Sequence, residues 1–311
     1  MNCDCVFRIG KNHTVCEDYA YASVNGFPHI IVSDGCSSSH DTDYGTRLLT
    51  SAVRTVLGFN GCATSVDFFK SAASIAMGDR VKLMLPHDVL DCTLMIAALR
   101  PPELFNPPAN KPITTWMEIA MLGDGVIAIK SRDNQFVVYS IEYVTGYPAF
   151  ASYLIDTSRH DVWERHMADG VNVPIDNVLI YVYYRSTDGV WSERLVGSEY
   201  SKGMPEIARF VSCISDSDHL LHVLSPPFPK EETEFVALMS DGIRSFYHIS
   251  QEDTVRKSIP LELTYVLDQL FTFKSYNGVF VQRRINKFLK DMQQQGHEHF
   301  DDISLAVMSF T

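Results

Sequence analysis

The apolar positions of this chain fall into short blocks that end abruptly on Gly, Pro or Asp. His29–Ser33, Thr93–Leu99, Trp116–Leu122, Gln135–Val144, Val178–Tyr184, Phe235–Ser240 and Ile303–Phe310 are rich in β-branched and aromatic residues and read as strands. A second pattern has helical spacing. From Asp43 to Leu57 it puts Leu48, Leu49, Ala52, Val53 and Val56 on one face. Val66–Met77 follows, with Thr64 or Ser65 as N-cap, and Leu261–Phe271 and Asn277–Met292 come late. The predicted order is strand, two helices, many strands, two helices, final strand. Strands segregated in this way argue for an α+β fold over an alternating α/β one.

Two stretches fit this pattern less well. Pro101-Pro102 and Pro107-Pro108 bracket an exposed connection between strands. Residues from about 147 to 229 mix Trp, Tyr and charge and read as an inserted, partly exposed flap or subdomain within one domain spanning 1–311.

Composition narrows the class of protein. The 311 residues carry a formal net charge of −12, which disfavours nucleic acid and anionic membranes as partners. No apolar run approaches the ~20 residues of a spanning helix. The first residues lack the basic and apolar regions of a secretory signal. Seven cysteines without a CxxC pair fit a reduced, cytoplasmic protein. Cys3 and Cys5 make a lone CxC with no second ligand pair nearby.

The chemistry lies in acidic residues at strand ends. Glu17-Asp18 precedes a short strand-like run. Ser33-Asp34-Gly35 ends one strand, Gly123-Asp124-Gly125 another and Ser240-Asp241-Gly242 a third, and Asp301-Asp302 opens the last. Any one Asp-Gly is ordinarily a turn. As a set, these carboxylates would repel one another unless a cation lay among them, and all-oxygen donors select Mg²⁺ or Mn²⁺ over Zn²⁺. Ser186-Thr187-Asp188-Gly189 has the same form, but a return strand from Val190 makes it a hairpin turn, so Asp241 is preferred over Asp188. Asp301 reads as a solvated or capping neighbour of Asp302, because consecutive strand residues face opposite sides.

In this order the elements resemble the metal-dependent protein phosphatases of the PP2C or PPM type, in their divergent bacterial-type branch. Asp91-Cys92-Thr93-Leu94-Met95 matches the family's threonine-bearing strand, Gly45 its small helix residue, and Gly10-Lys11-Asn12-His13 its N-terminal Gly-x-x-His form. The resemblance runs from Gly10 to Val307. It implies a four-layer αββα sandwich, two antiparallel sheets flanked by helices, with metals at one end.

The resemblance also implies roles for individual residues. Asp34 would bridge two Mg²⁺ or Mn²⁺ ions, with the Gly35 carbonyl on one, and Asp241 and Asp302 would complete the pair. Asp124 with Asp241 would hold a third, weaker ion. Glu17 and Asp18 would hold metal-bound water, and His13 would stand at the phosphate. The implied activity is hydrolysis of phosphoserine or phosphothreonine by a metal-activated water without a covalent intermediate. The implied setting is a cytoplasmic monomer acting on a phosphoprotein, with a Ser/Thr kinase as counterpart. Three positions depart from the family pattern: His13 replaces a phosphate-binding Arg, Cys36 replaces a His after Asp-Gly, and Ser245 replaces an Asp four residues after Asp241. They motivate two alternatives: a PP2C-like binding or regulatory protein with little turnover, and a two-metal hydrolase of small phosphoesters.

Overall fold

The computed structural model describes residues 1–60, 65–100, 116–143, 146–170, 178–196, 212–213, 221–252 and 255–311. The Pro101–Pro108 connection and Thr64 lie outside them. The N-terminal half contains β1 (Asn2–Arg8), β2 (Tyr19–Ser23), β3 (His29–Ser33), α1 (Thr42–Asn60), α2 (Val66–Leu83), β4 (Leu94–Arg100), β5 (Trp116–Leu122), β6 (Gly125–Ser131) and β7 (Phe136–Tyr143). Then follow α3 (Thr157–Gly170), β8 (Val178–Arg185), β9 (Trp191–Val196), β10 (Ser212–Cys213), β11 (Leu221–Pro229), β12 (Thr233–Met239), β13 (Phe246–Glu252) and β14 (Val255–Pro260). The chain closes with α4 (Leu263–Leu270), α5 (Phe280–Gln294), β15 (His297–His299) and β16 (Ile303–Ser309).

These elements build an α+β sandwich. One sheet has the order β1-β16-β12-β6-β7-β8-β9 and the other β10-β11-β5-β4-β3-β2, and a small third sheet is β14-β13-β15. Strand alternation produces the layers. On β12, Val236 and Leu238 face Ile30, Val32, Met95 and Ile119 of the opposite sheet. Phe235, Ala237 and Met239 face outward onto Val266, Leu267, Phe280, Ile285 and Phe288 of α4 and α5. The other sheet buries Ile31, Leu94, Ile96 and Ala120 against Leu49, Val53 and Val56 of α1 and Phe68, Phe69 and Ala72 of α2. Central strands are therefore covered on both faces, and their sequences read as continuous apolar runs.

Local chemistry sets the helix ends. Ser65 caps α2, its hydroxyl accepting from the Phe68 N–H at 3.1 Å. Gly45 lets α1 approach the 3-10 turn His87–Leu90, where a Cβ would stand 1.7 Å from the Val89 carbonyl oxygen. Within the span from 147 to 229, β8 pairs with β7 along Val178–Arg185 and β9 extends that sheet. β11 pairs with β5. Trp163 of α3 packs beside α2 in the helical layer. Asp188 sits in the exposed turn between β8 and β9, bonded by the Ser186 hydroxyl.

Candidate metal centre

The carboxylates gather where β3, β5, β12 and the segment before β16 end. Asp34 follows β3 and is tied to the threonine-bearing segment. The Thr93 N–H donates to the Asp34 carbonyl at 2.8 Å, the Ser33 hydroxyl donates to the Thr93 carbonyl at 2.7 Å, and Gly35 bridges Cys92. The Asp124 turn is pressed onto the same threonine. At Gly123, with φ +92°, a Cβ would lie 2.7 Å from the Thr93 methyl. Asp241 opens a 3-10 turn, Asp241–Arg244, directly after β12. At Gly242 a Cβ would lie 1.7 Å from the Asp302 carbonyl oxygen, so only glycine lets the turn close against residues 301–302.

Burial and mutual repulsion define the electrostatics. Asp18 is fully buried; its Oδ2 accepts from the Ser240 hydroxyl at 2.6 Å, whereas its Oδ1 has no donor. Burial pushes Asp18 up to about 7. Asp34 is raised well above the usual carboxylate range by burial and then by Asp18, Asp241 and Asp124. Asp124 is pushed up to about 8 by burial and then by Asp241. Loss of water first, and then the neighbouring acids, favour the protonated forms of these carboxyls. A divalent cation would replace those protons and give Asp18 Oδ1 a direct or water-mediated partner. The all-oxygen donor set therefore fits Mg²⁺ or Mn²⁺.

Asp302 belongs to the cluster, but both of its oxygens are engaged. Oδ1 accepts from the Gly10 N–H at 2.7 Å and Oδ2 from the Glu17 N–H at 2.6 Å, which fastens the N-terminal loop. Asp301 is the freer carboxylate. Its side chain is 45% exposed, and it is raised by burial and then by Asp241. Its N–H donates to the Ser245 hydroxyl at 3.1 Å, and that hydroxyl donates to the Gly242 carbonyl at 2.7 Å. Ser245 thus splices the Asp241 turn to the Asp301 segment.

His13 reaches the site but faces carboxylates. Nε2 lies 3.1 Å from Asp301, and Nδ1 lies 3.4 Å from Asp302 and 3.6 Å from Glu17. His13, Glu17 and Asp302 present ligand atoms within 4.8 Å of one another. Glu17 also accepts from the Thr42 hydroxyl at 3.3 Å. Cys36 shares a hydrogen bond with the Ser38 hydroxyl at 3.1 Å. His40, near Cys36 in sequence, is turned to Asp88 and is 78% exposed.

Two arginines at the site were not anticipated. Arg244 follows Asp241 in the same turn and reaches β7, where Nη1 pairs with Glu142 at 2.7 Å and Nη2 bonds the Ser140 hydroxyl. Ser140 and Ile141 lie opposite Val126 and Gly125, so the guanidinium crosses the start of β6 beside Asp124 and lowers that carboxyl in part. Its place three residues after Asp241 was the available signal. Arg159 of α3 pairs with buried Asp91, which also accepts from Ser39 at 2.7 Å and Ser152 at 2.6 Å. The Cys36 N–H donates to the Asp91 carbonyl at 2.9 Å, so this network anchors the loop after Asp34.

An αββα sandwich with buried carboxylates at one end defines a fold of the metal-dependent phosphatase class. The sequence profile of the family described as Protein phosphatase 2C matches residues 9–290, and the chain belongs to that family. A solved bacterial serine phosphatase is similar over 100% of this chain and 98% of its own, with 10% identity and a TM-score of 0.47. Serine/threonine phosphatase Stp1 from Staphylococcus aureus aligns over 99% of this chain and 95% of its own, at 9% identity and TM-score 0.45. A C. elegans sex determining protein aligns over 99% of this chain and 64% of its own, at 15% identity and TM-score 0.48. No curated protein matches the chain.

Proposed function

We propose that this protein is a Mg²⁺- or Mn²⁺-dependent phosphoprotein phosphatase that hydrolyses phosphoserine and phosphothreonine esters with no covalent intermediate. The observation that carries the reading is the convergence of Asp18, Asp34, Asp124 and Asp241, buried or half-buried acids with Arg244 the cation beside Asp124, and with Asp18 Oδ1 left without a donor. Asp34, the Gly35 carbonyl, Asp241 and Asp301 would hold the two principal ions. We assign Asp301 to this role because both Asp302 oxygens already accept backbone N–H groups. Bound divalent ions supply positive charge for the phosphoryl oxygens and lower the pKa of water at neutral pH.

The chain's own residues shape what surrounds those ions. Asp18 and Glu17 would orient water from behind Asp34. Asp302 and His13 together hold the loop of residues 10–17 against the site. Arg244 brings a fixed cation beside Asp124, where a third, weaker ion would otherwise bind. The Arg159–Asp91 pair links the 147–229 span, read as an insertion in a single domain, to the loop carrying Cys36. The proposed setting is a cytoplasmic monomer opposed by a Ser/Thr kinase. Among the described residues no helix is long and apolar enough to cross a membrane.

A second reading has specific support: a PP2C-like binding or regulatory protein with little turnover. His13 is enclosed by three carboxylates rather than presented to phosphate, and Cys36 stands where the family often has His. The experiment that separates them is p-nitrophenyl phosphate hydrolysis with Mn²⁺, with Mg²⁺ and with EDTA, on wild type and Asp241→Asn. Metal-dependent activity lost in the variant supports the phosphatase. A folded wild type that is inactive with every metal rejects it in favour of the binding protein. A panel of phosphopeptides and small phosphoesters then separates protein from small-molecule substrates.

A further inference from the structure

Away from the carboxylates, two imidazoles face each other across the small third sheet. His248 on β13 and His297 on β15 are direct partners in the antiparallel register. Their Nδ1 atoms are 3.3 Å apart, and the rings are tilted by 71° with centroids 5.2 Å apart. Both side chains are half-buried, so solvent reaches the pair.

That separation fits a shared ion. A tetrahedral cation with metal–nitrogen bonds of about 2.0–2.1 Å holds two of its nitrogens about 3.3–3.4 Å apart. The cross-strand register supplies this bite without rearrangement of the backbone. The two Nδ1 atoms are hydrogen-bonded to each other; with each ring as its Nε2–H tautomer, both Nδ1 lone pairs would be donated to a cation and the proton between them would pass to Nε2. His297 is lowered by burial and then by His248, which favours its neutral form.

Two neighbours border the pair. Gly296 has no side chain, and a Cβ there would lie 3.8–4.0 Å from the His248 ring. Tyr265 lies nearly perpendicular to the His297 ring with centroids 6.1 Å apart, and donates its hydroxyl to Gln295 at 2.7 Å.

We propose that His248 and His297 form a binding site for a borderline transition-metal cation of the Zn²⁺ or Ni²⁺ class, completed by water and distinct from the oxygen-lined centre. Imidazole suits such ions, whereas Mg²⁺ prefers oxygen, so the two sites select different metals. The site is joined to the carboxylates by short connections. β13 begins immediately after Ser245 and β15 ends immediately before Phe300, and the Phe300 N–H donates to the Ser245 carbonyl at 3.2 Å. An ion at the pair would fasten together the two strands whose ends form the Ser245–Asp301 splice.

The test uses untagged full-length protein saturated with Mg²⁺ and titrated with Zn²⁺ and with Ni²⁺, followed by calorimetry and thermal unfolding. Wild type should bind an additional equivalent and gain Tm. His248→Gln and His297→Gln should each weaken that binding at least about tenfold, with Mg²⁺ binding unchanged. Equal Zn²⁺ stoichiometry and affinity in wild type and both variants would overturn the site, as would no Zn²⁺ or Ni²⁺ binding by wild type. Should the variants fail to fold, substoichiometric Cu²⁺ on wild type decides by electron paramagnetic resonance. Hyperfine splitting from two nitrogen donors supports the pair, and an oxygen-only spectrum rejects it.

Discussion

Asp34 illustrates how a proposed metal ligand works against the stability of the metal-free chain. It is half-buried, and its acidity is suppressed by desolvation and by three other carboxyls. Asp34→Asn removes one member of that repulsion. In EDTA the variant should be more stable than wild type by on the order of 1 kcal/mol in chemical denaturation. Under Mn²⁺ it should lose at least about 100-fold in phosphoester hydrolysis. A variant that is both less stable in EDTA and fully active would refute this account. Gly242 lies at the opposite extreme. Its Cβ position is 1.7 Å from a backbone oxygen, so Gly242→Ala should cost more than about 3 kcal/mol, read as a fall in urea midpoint. That Asp302 accepts the Gly10 and Glu17 N–H groups was not legible in sequence. Alternation indicates only that neighbours point to opposite sides, not which one meets backbone N–H groups 285 or more positions away.

Elements differ in how plainly their sequences announce them. β3 and Trp116–Leu122 have the boundaries expected from their apolar runs, and β16 is buried at every position. α1 and α2 extend beyond their predicted ends to Asn60 and Leu83. Other elements escaped because their patterns are diluted. β1 is half-buried along most of its length, β6 begins on the Gly of an Asp-Gly turn, α3 has little apolar content, and β11 contains Pro226 and Pro227. Order along the chain made the acidic set visible, whereas Arg159 and Arg244 act through partners that adjacency in sequence does not reveal. The adjacent aspartates test the element-level role of the N-terminal loop. Asp302→Ala should destabilise the fold by about 2–4 kcal/mol, because the buried Gly10 N–H and the part-buried Glu17 N–H lose their acceptor. Asp301→Ala should leave stability nearly unchanged while weakening Mn²⁺ binding at least about tenfold. Urea unfolding paired with Mn²⁺ titration reads both outcomes.

Across the whole molecule the buried acids make stability depend on pH and metal together. Asp18 and Asp124 rise from 3.8 to about 7 and about 8, and Asp34 rises with them. Between about pH 4 and pH 8 the folded state therefore holds protons that the unfolded chain has released. Stability contributed by these groups is full below the unfolded value and is lost as pH rises through the folded values. In EDTA the Tm should fall over that window. Added Mg²⁺ or Mn²⁺ should raise Tm more at pH 8 than at pH 5, since the cation competes with fewer protons. A Tm in EDTA that rises steadily across the window would contradict the assignment of these acids to one buried cluster.

The position of β16 has a consequence in time. It is the last strand in sequence, yet it lies between β1 and β12, and it brings Asp302 to the loop of residues 10–17. A nascent chain that has already emitted Asp18, Asp34, Asp124 and Asp241 still lacks the strand that draws the ends of this sheet together. Pairings this distant along the chain form slowly, because long loops must close before any contact rewards them. Capacity for Mn²⁺ should then appear as a late step of refolding, after most helical signal has returned. Metal capacity would then trail the rest of the fold, a delay imposed by the topology of this sheet.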